Sequence, residues 1–290
     1  MSHMTQTFMR NKIMRHSILV LASLATLFLP APSHTAPSLT LGIHPYLAAA
    51  ELYKRFTPLA EYLEKKLGTE VTIRISSTYE ANMLSISSGE IDIAFMGPVA
   101  YARLPGNSGP TPLLAAFESN GNRTFRGVII VRRESGINNL PQLKGKKFAF
   151  GPPTSTMGNI VPRAMLLKEG VNVDQLGQAE YMANHDNIAL SVLAGRFDAG
   201  ALKEDIFRQY EPQGLRALAI SDPVPDHLFV ARHGLPGGTI DKLRQILLSL
   251  QDTEEGRQIL ASIQDSLTAL VPVTDADYDG IRDMIKSLDQ

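Results

Sequence analysis

The chain contains no cysteine and no tryptophan. Without cysteine there can be no disulfide, no thiolate nucleophile and no lipid-modified amino-terminal cysteine. A surplus of charge of either sign is missing too. Lys and Arg total 28 against 29 Asp and Glu, a formal net charge of −1. That balance removes the electrostatic reason to expect nucleic acid or an anionic membrane as a partner. Long uncharged runs are scarce: beyond Ser17–Pro30, "SILVLASLATLFLP", nothing approaches the length of a membrane span. What remains, 44% hydrophobic and 20% charged residues in a chain of 290, is a globular composition with room for one large domain or two of common size.

The uncharged run follows a basic patch of Arg10, Lys12 and Arg15 and precedes the small, turn-forming "APSHTAPS". This order is that of a secretory signal peptide over residues 1–36, with cleavage expected near Ala36 or at Ser33. An uncleaved anchor is the alternative, disfavoured by the shortness of the run. The expected address is the periplasm.

The rest of the chain repeats itself. "LSISSGEIDIAFMG" (Leu84–Gly97) returns as "LSVLAGRFDAGALK" (Leu190–Lys203), pairing Gly89 with Gly195, Asp92 with Asp198 and Tyr79 with His185. Around each copy the periodicity alternates. "SLTLGI" is a strand and Tyr46–Leu67 a helix stopped by Gly68; "EVTIRIS" is a strand, "STYE" a capping box opening a helix, and "IDIAFM" a strand followed by a helix at Pro98. "KKFAFG", "PPTSTMGNIVPRAMLLKEG", "AEYMA", "NHDNIALSVLAG" and "FDAGAL" replay the order. The pattern predicts two α/β lobes, each a mostly parallel sheet flanked by helices. We expect lobe 1 to comprise residues 37–122 plus 229–290 and lobe 2 residues 123–228, with hinge crossings near 115–130 and 219–232. A hinged clamshell of this kind holds its ligand between the lobes, at the carboxyl ends of the strands.

The residues at those ends are His44 and Tyr46, Tyr79, Gly97 and Tyr101, Thr154, Ser155 and Thr156, His185, and Glu204 with Asp205. Helix starts offer free N–H groups and the positive end of a dipole, hence an anion site, and "TST" adds three hydroxyls. Plain N-capping accounts for Ser and Thr at such places as well. Lys144, Lys146 and Lys147 read as a solvated turn, and Asp92 and Asp198 as stabilisers of turns.

Three spaced motifs make the pattern specific: "GEIDIAFMGPVAYARL", "LPQLKGKKFAFGPPTSTMGNIVP" and "NHDNIALSVLAGRFDAGAL". From about Leu39 to Arg232 the chain resembles the periplasmic substrate-binding proteins of phosphate, phosphite and phosphonate ABC transporters. The resemblance implies a type II periplasmic-binding-protein clamshell and a small tetrahedral oxyanion as ligand. It places the anion-gripping hydroxyl loop on Ser155 and Thr156, the pocket tyrosines on Tyr79 and Tyr101 and the family's histidine on His185. Two positions depart from the family pattern. Met157 stands at the third position of the hydroxyl loop, and His227 in "VPDHLF" occupies a place expected to be acidic in many phosphonate binders, leaving Glu204 or Asp205 as substitutes.

The implied partner is an ABC permease. The alternative is a sensor of oxyanions such as arsenate or arsenite that signals to a membrane histidine kinase; the missing thiolates speak against arsenite. A metal site would need His44, His185 and His227 to converge, without any tight ligand spacing to announce it. Catalysis would need Ser155, His185 and Asp186 to act together, without a G-x-S-x-G elbow or a glycine-rich nucleotide loop. The expectation is therefore a monomeric, non-catalytic binding protein with no cofactor.

Overall fold

A computed structural model describes residues 38–104 and 111–289; the signal peptide expected over residues 1–36 lies outside them. The chain opens with β1 (Leu39–Ile43), α1 (Ala49–Leu67), β2 (Val71–Ile75), α2 (Tyr79–Ser88), β3 (Ile93–Met96), the short α3 (Pro98–Ala102) and β4 (Leu113–Ser119). It continues through β5 (Thr124–Phe125), β6 (Gly127–Arg132), β7 (Lys147–Phe150), α4 (Val161–Lys168), β8 (Gln178–Tyr181), α5 (His185–Leu193), β9 (Ala199–Lys203), α6 (Glu204–Tyr210) and β10 (Leu215–Ile220). The last stretch is β11 (Val224–Pro225), β12 (Leu228–Ala231), α7 (Gly237–Leu248), α8 (Glu254–Ile263), β13 (Leu267–Val271) and α9 (Asp279–Leu288).

These strands form two main sheets. One has the order β13-β4-β12-β3-β1-β2, the other β10-β6-β9-β7-β8. In each, the three strands of the repeated unit are parallel: β1 with β2 and β3, and β7 with β8 and β9. The strands added beside them, β12, β4 and β13 in the first sheet and β6 and β10 in the second, are each antiparallel to their neighbours, so that β12, β13 and β6 run against the parallel set. The sheets are therefore mixed, where the repeat alone suggested mostly parallel ones. The βαβ periodicity reports only the crossover strands, whereas the antiparallel ones arrive through the connections between lobes.

The duplication has a physical counterpart. Asp92, just before β3, accepts from Thr40 N–H at 2.9 Å and pairs with Arg232 at 2.7 Å. Asp198, just before β9, accepts from Lys147 N–H at 2.9 Å and lies 4.0 Å from Arg132. Each aspartate thus ties an N–H at the start of β1 or β7, the middle strand of its parallel trio, to an arginine at the end of an antiparallel strand. Gly89 and Gly195, at the paired helix ends, both have positive φ, 81° and 73°, the left-handed conformation that closes a helix without a Cβ clash.

The chain passes between the sheets at two places, after β4 and after β10, and the passages pair with each other: β5 and β11 form a two-stranded antiparallel ribbon, Phe125 opposite Val224 and Thr124 opposite Pro225. Pro225, which cannot donate to a ladder, is tolerated there because the ribbon has no third strand.

α1 begins at Ala49 and not at Tyr46, because His44–Leu47 forms a turn with Tyr46 N–H on His44 C=O. Its stripe of Leu52, Phe56, Leu59, Ala60 and Leu63 is buried on the first sheet. α2 starts one residue later than the capping-box reading placed it. Thr78 is the cap, accepting from Ala81 N–H at 3.0 Å, and Glu80 is released for another contact.

At the centre of the first sheet Phe95 packs its ring on Phe56, Phe117 and Phe229, with centroids 5.1–5.5 Å apart. Replacing it with alanine, Phe95→Ala, is expected to remove about 3–5 kcal/mol of stability, measured as a lower urea midpoint with an unchanged slope.

Candidate functional site

Phe95 also reaches the cleft, through its backbone. Its carbonyl, near the end of β3, accepts from Asn82 Nδ2 at 3.2 Å and from His44 Nδ1 at 3.1 Å. A carbonyl has no proton to give, so His44 Nδ1 carries the hydrogen and, in the neutral ring, Nε2 is left as an acceptor. His44 is buried and its Nε2 has no partner among the described residues. Its ring lies parallel to that of His227 at 5.6 Å and tilted on Tyr79 at 4.5 Å and Tyr46 at 5.3 Å.

His227 is pinned in the same way by an acid. Asp226 Oδ1 accepts from both the His227 backbone N–H, at 2.7 Å, and Nδ1, at 2.9 Å. Burial works to raise the Asp226 carboxyl, but the His227 hydrogen bond and the nearby Lys203 charge outweigh it and hold the group below its ordinary range. The acid is therefore ionised, and it orients the imidazole.

Lobe 2 answers with the hydroxyl loop. Ser155 caps a single π turn over Thr156–Ile160, its Oγ accepting from Gly158 N–H at 3.1 Å. Such wide turns recur at functional sites. The turn can form because Gly151 and Gly158 lie backbone to backbone. A Cβ at Gly158 would come 2.8 Å from Ser155 Oγ and 2.9 Å from Gly151 Cα.

Four contacts join the lobes around this loop. Thr154 donates to Glu80 at 2.9 Å, Thr156 Oγ1 accepts from Val99 N–H at 3.1 Å, His185 N–H meets Tyr46 C=O at 3.3 Å, and Lys203 reaches Gln264 at 2.6 Å. Gly97 lets the loops approach: a Cβ there would sit 3.3 Å from Thr156 Oγ1 and 3.6 Å from His227 Nε2.

The structure thus gathers His44, Tyr46, Tyr79, Gly97, Thr154, Ser155, Thr156, His185 and His227 in one buried cluster. Tyr101 is not among them. Its hydroxyl donates to Asp275 at 2.5 Å and its ring packs on Tyr278, on the far side of α3. Glu204 pairs with Arg208 at 2.9 Å. Asp205 pairs with Lys203 at 3.3 Å, beside a cavity of about 300 Å³ lined by Phe125, Arg126, Gln264 and Asp226. Met157 does not face the cluster. It is buried against Val99, Ile160, Val224 and Ile281, so it takes no hydroxyl's place beside Ser155.

Electrostatically the cluster is kept neutral. Burial lowers His44 well below its ordinary value, with the His227 charge adding to the effect. Burial likewise lowers His227 and brings His185 to about 4, and it raises the phenols of Tyr46 and Tyr79. Lys203, the cation here, is buried and spent on Asp205 and Gln264.

No three His, Asp or Glu side chains among the described residues are grouped to hold a metal. Asp186 takes its hydrogen bond from Tyr210, at 2.9 Å, and so does not orient His185 as a catalytic relay would require.

Residues 41–278 match the family of ABC-transporter phosphonate periplasmic substrate-binding proteins. The chain belongs to that family. This phosphonate-type binding protein is 29% identical over 269 residues to a phosphate-import protein of Mycolicibacterium smegmatis, covering 84% of each chain. It is 26% identical over 250 residues to the phosphonates-binding periplasmic protein of Escherichia coli, covering 82% of this chain and 74% of that one. Among solved structures it resembles a Prochlorococcus marinus protein, PhnD1, in complex with methylphosphonate, at a TM-score of 0.81 and 23% identity over 87% of this chain and 98% of the other. That likeness carries the fold, the two-lobed α/β clamshell. The family is one of transport components, and these relatives lend no support to the sensor-kinase reading.

Sequence reasoning missed Phe95, Asn82, Asp226 and Gly158. Gly158 left a signal, as a glycine inside a helix-like run after three hydroxyls; Phe95 and Asn82 act through a carbonyl shared with partners distant in sequence, and Asp226 through its neighbour His227.

Two outcomes test this geometry. Gly158→Ala is expected to cost about 1–3 kcal/mol through overpacking, read as a lower melting temperature. The buried neutral histidines make the ligand-free protein acid-sensitive. His185 takes up a proton near 6.5 when unfolded and near 4 when folded, so stability is intact above that window and falls as pH drops through it. His185→Gln should flatten the fall by about 1.4 kcal/mol per pH unit, measured by urea denaturation at a series of pH values.

Proposed function

We propose that this protein captures a small phosphorus oxyanion, of the phosphate, phosphite or phosphonate type, between its lobes and delivers it to an ABC permease. The observation that carries the reading is the convergence of buried polar groups from both lobes on one place: the Ser155–Thr156 loop, Tyr79, His185 and the His44–His227 pair. An anion set there accepts from hydroxyls, phenols and the first amides of helical turns, without an uncompensated cation to hold it too tightly for release. Neutral donors also judge an anion by its shape and its protons.

The β5–β11 ribbon serves as the hinge, and the contacts from Thr154, Thr156 and His185 to the first lobe lock the closed form. The permease recognises that closed form, because closing changes the outer surface that the two lobes present together. The lobes are residues 37–122 with 229–290, and 123–228. The signal peptide over residues 1–36 delivers the protein to the periplasm, where it works as a monomer and carries out no catalysis.

Two carboxylates near the pocket are already paired and so argue against an aminoalkyl substituent. Asp205 is paired with Lys203, and Asp226 with His227. The favoured cargo is therefore a small anion without an amine, such as phosphate, phosphite or methylphosphonate.

A thermal-shift screen of residues 37–290 tests the reading, with phosphate, phosphite, methylphosphonate, 2-aminoethylphosphonate, arsenate, arsenite and sulfate. A true ligand at about a hundred times its Kd stabilises by about 2.7 kcal/mol and raises the melting temperature by several degrees. The shift is expected for one or two of the amine-free phosphorus oxyanions, and it should vanish in the double variant Ser155→Ala with Thr156→Ala. No shift with any of them refutes the assignment.

A further inference from the structure

Resting on the oxyanion reading, a narrower conclusion follows from one atom. His44 is 1% exposed, yet its Nε2 has no hydrogen-bond partner among the described residues. Its other nitrogen is committed as a donor to the Phe95 carbonyl at 3.1 Å, so neutral His44 presents a bare lone pair into the cluster. A buried acceptor left unpaired is costly, and the cost is removed only by a donor.

Whatever fills the site must therefore bring a hydrogen of its own. We propose that His44 is a specificity-determining residue: its Nε2 accepts a hydrogen bond from an acidic O–H of the bound anion, so the site takes phosphorus oxyanions that retain a proton and rejects fully deprotonated tetrahedral anions such as sulfate.

The surroundings keep the atom an acceptor. The groups that face His44 are His227 from the loop before β12, His185 from α5, Lys203 from β9, and the uncharged phenols of Tyr46 and Tyr79. Each charged form among them is positive, so a proton on His44 Nε2 would be repelled as well as desolvated. His227 repeats the arrangement with its Nδ1 on Asp226, which leaves its own Nε2 in the same acceptor state beside the Thr156 loop. Sulfate has the right shape and size but offers only lone pairs, which would face the lone pair of His44. A site built to bond an O–H rejects the analogue without one far more strongly than a shape difference alone would.

Titration calorimetry on the mature protein tests this against the oxyanion reading itself. At neutral pH, binding of phosphate, phosphite or methylphosphonate should be at least about a hundredfold tighter than that of sulfate. The pH dependence separates the ligands. Phosphite and methylphosphonate lose their last O–H at the second ionisation, and their Kd should then rise about tenfold per pH unit. The phosphate dianion keeps an O–H, and its Kd should not follow.

In the complex, ¹⁵N NMR should show His44 Nε2 as a non-protonated nitrogen, a readout that needs no variant. His44→Gln, whose amide can donate as well as accept, should narrow the preference over sulfate at least tenfold. Sulfate binding within tenfold of the phosphorus oxyanions, or a phosphite or methylphosphonate Kd that stays flat through its second ionisation, or a protonated Nε2 in the complex, overturns the proposal while leaving the oxyanion reading standing. Failure of every phosphorus oxyanion to bind overturns both.

Discussion

The carbonyl of Phe95 is the point on which the first lobe and its half of the cleft depend together. The Phe95 ring is held by Phe56, Phe117 and Phe229 in the middle of the core, and its backbone is fixed between β1 and β12. The carbonyl that emerges is thus as rigid as the sheet, and it sets the tautomer of His44 and the position of Asn82. A ligand group on a flexible loop would be cheaper to build, but its donor or acceptor character could change with the first nearby proton. Anchored on a central strand, that character is a property of the fold.

The second lobe solves the matching problem by close approach. Gly151 and Gly158 bring two backbone segments together, and the π turn holds Ser155 and Thr156 at the cleft with Met157 turned into the apolar cluster that also receives Ile281. In the proposed function, rigid hydroxyls on one side and rigid imidazoles on the other leave little to reorganise when an anion arrives. That lowers the entropic cost of binding and makes geometry and protonation, more than net charge, the basis of selection.

Much of this was legible before any coordinates. The 3.6-residue and two-residue periodicities located the repeated strands and helices, and the duplicated helix-Gly-strand segments announced two lobes. Ser155, Thr156, Tyr79 and His185 come together in one buried cluster because each follows a strand, and in a βαβ unit the residues after a strand lie at one rim. The same rule misplaced Tyr101, which does follow β3. Tyr101, the fourth residue of α3, is turned toward Tyr278 and Asp275. Position after a strand determines the rim but not the rotation about it.

The sequence by itself determined the class of the protein: the lack of thiols, the balanced charge, the duplicated α/β unit and the hydroxyl loop are local patterns, and local patterns survive without a fold. Tertiary structure alone decided the mixed sheets, the pairing of β5 with β11 and the proton states in the cleft. Each of these depends on partners distant along the chain, such as Phe95 for His44, Gly151 for Gly158 and Glu80 for Thr154. A pattern within one helix or strand carries no record of which distant backbone will supply the carbonyl that decides whether a histidine nitrogen donates or accepts.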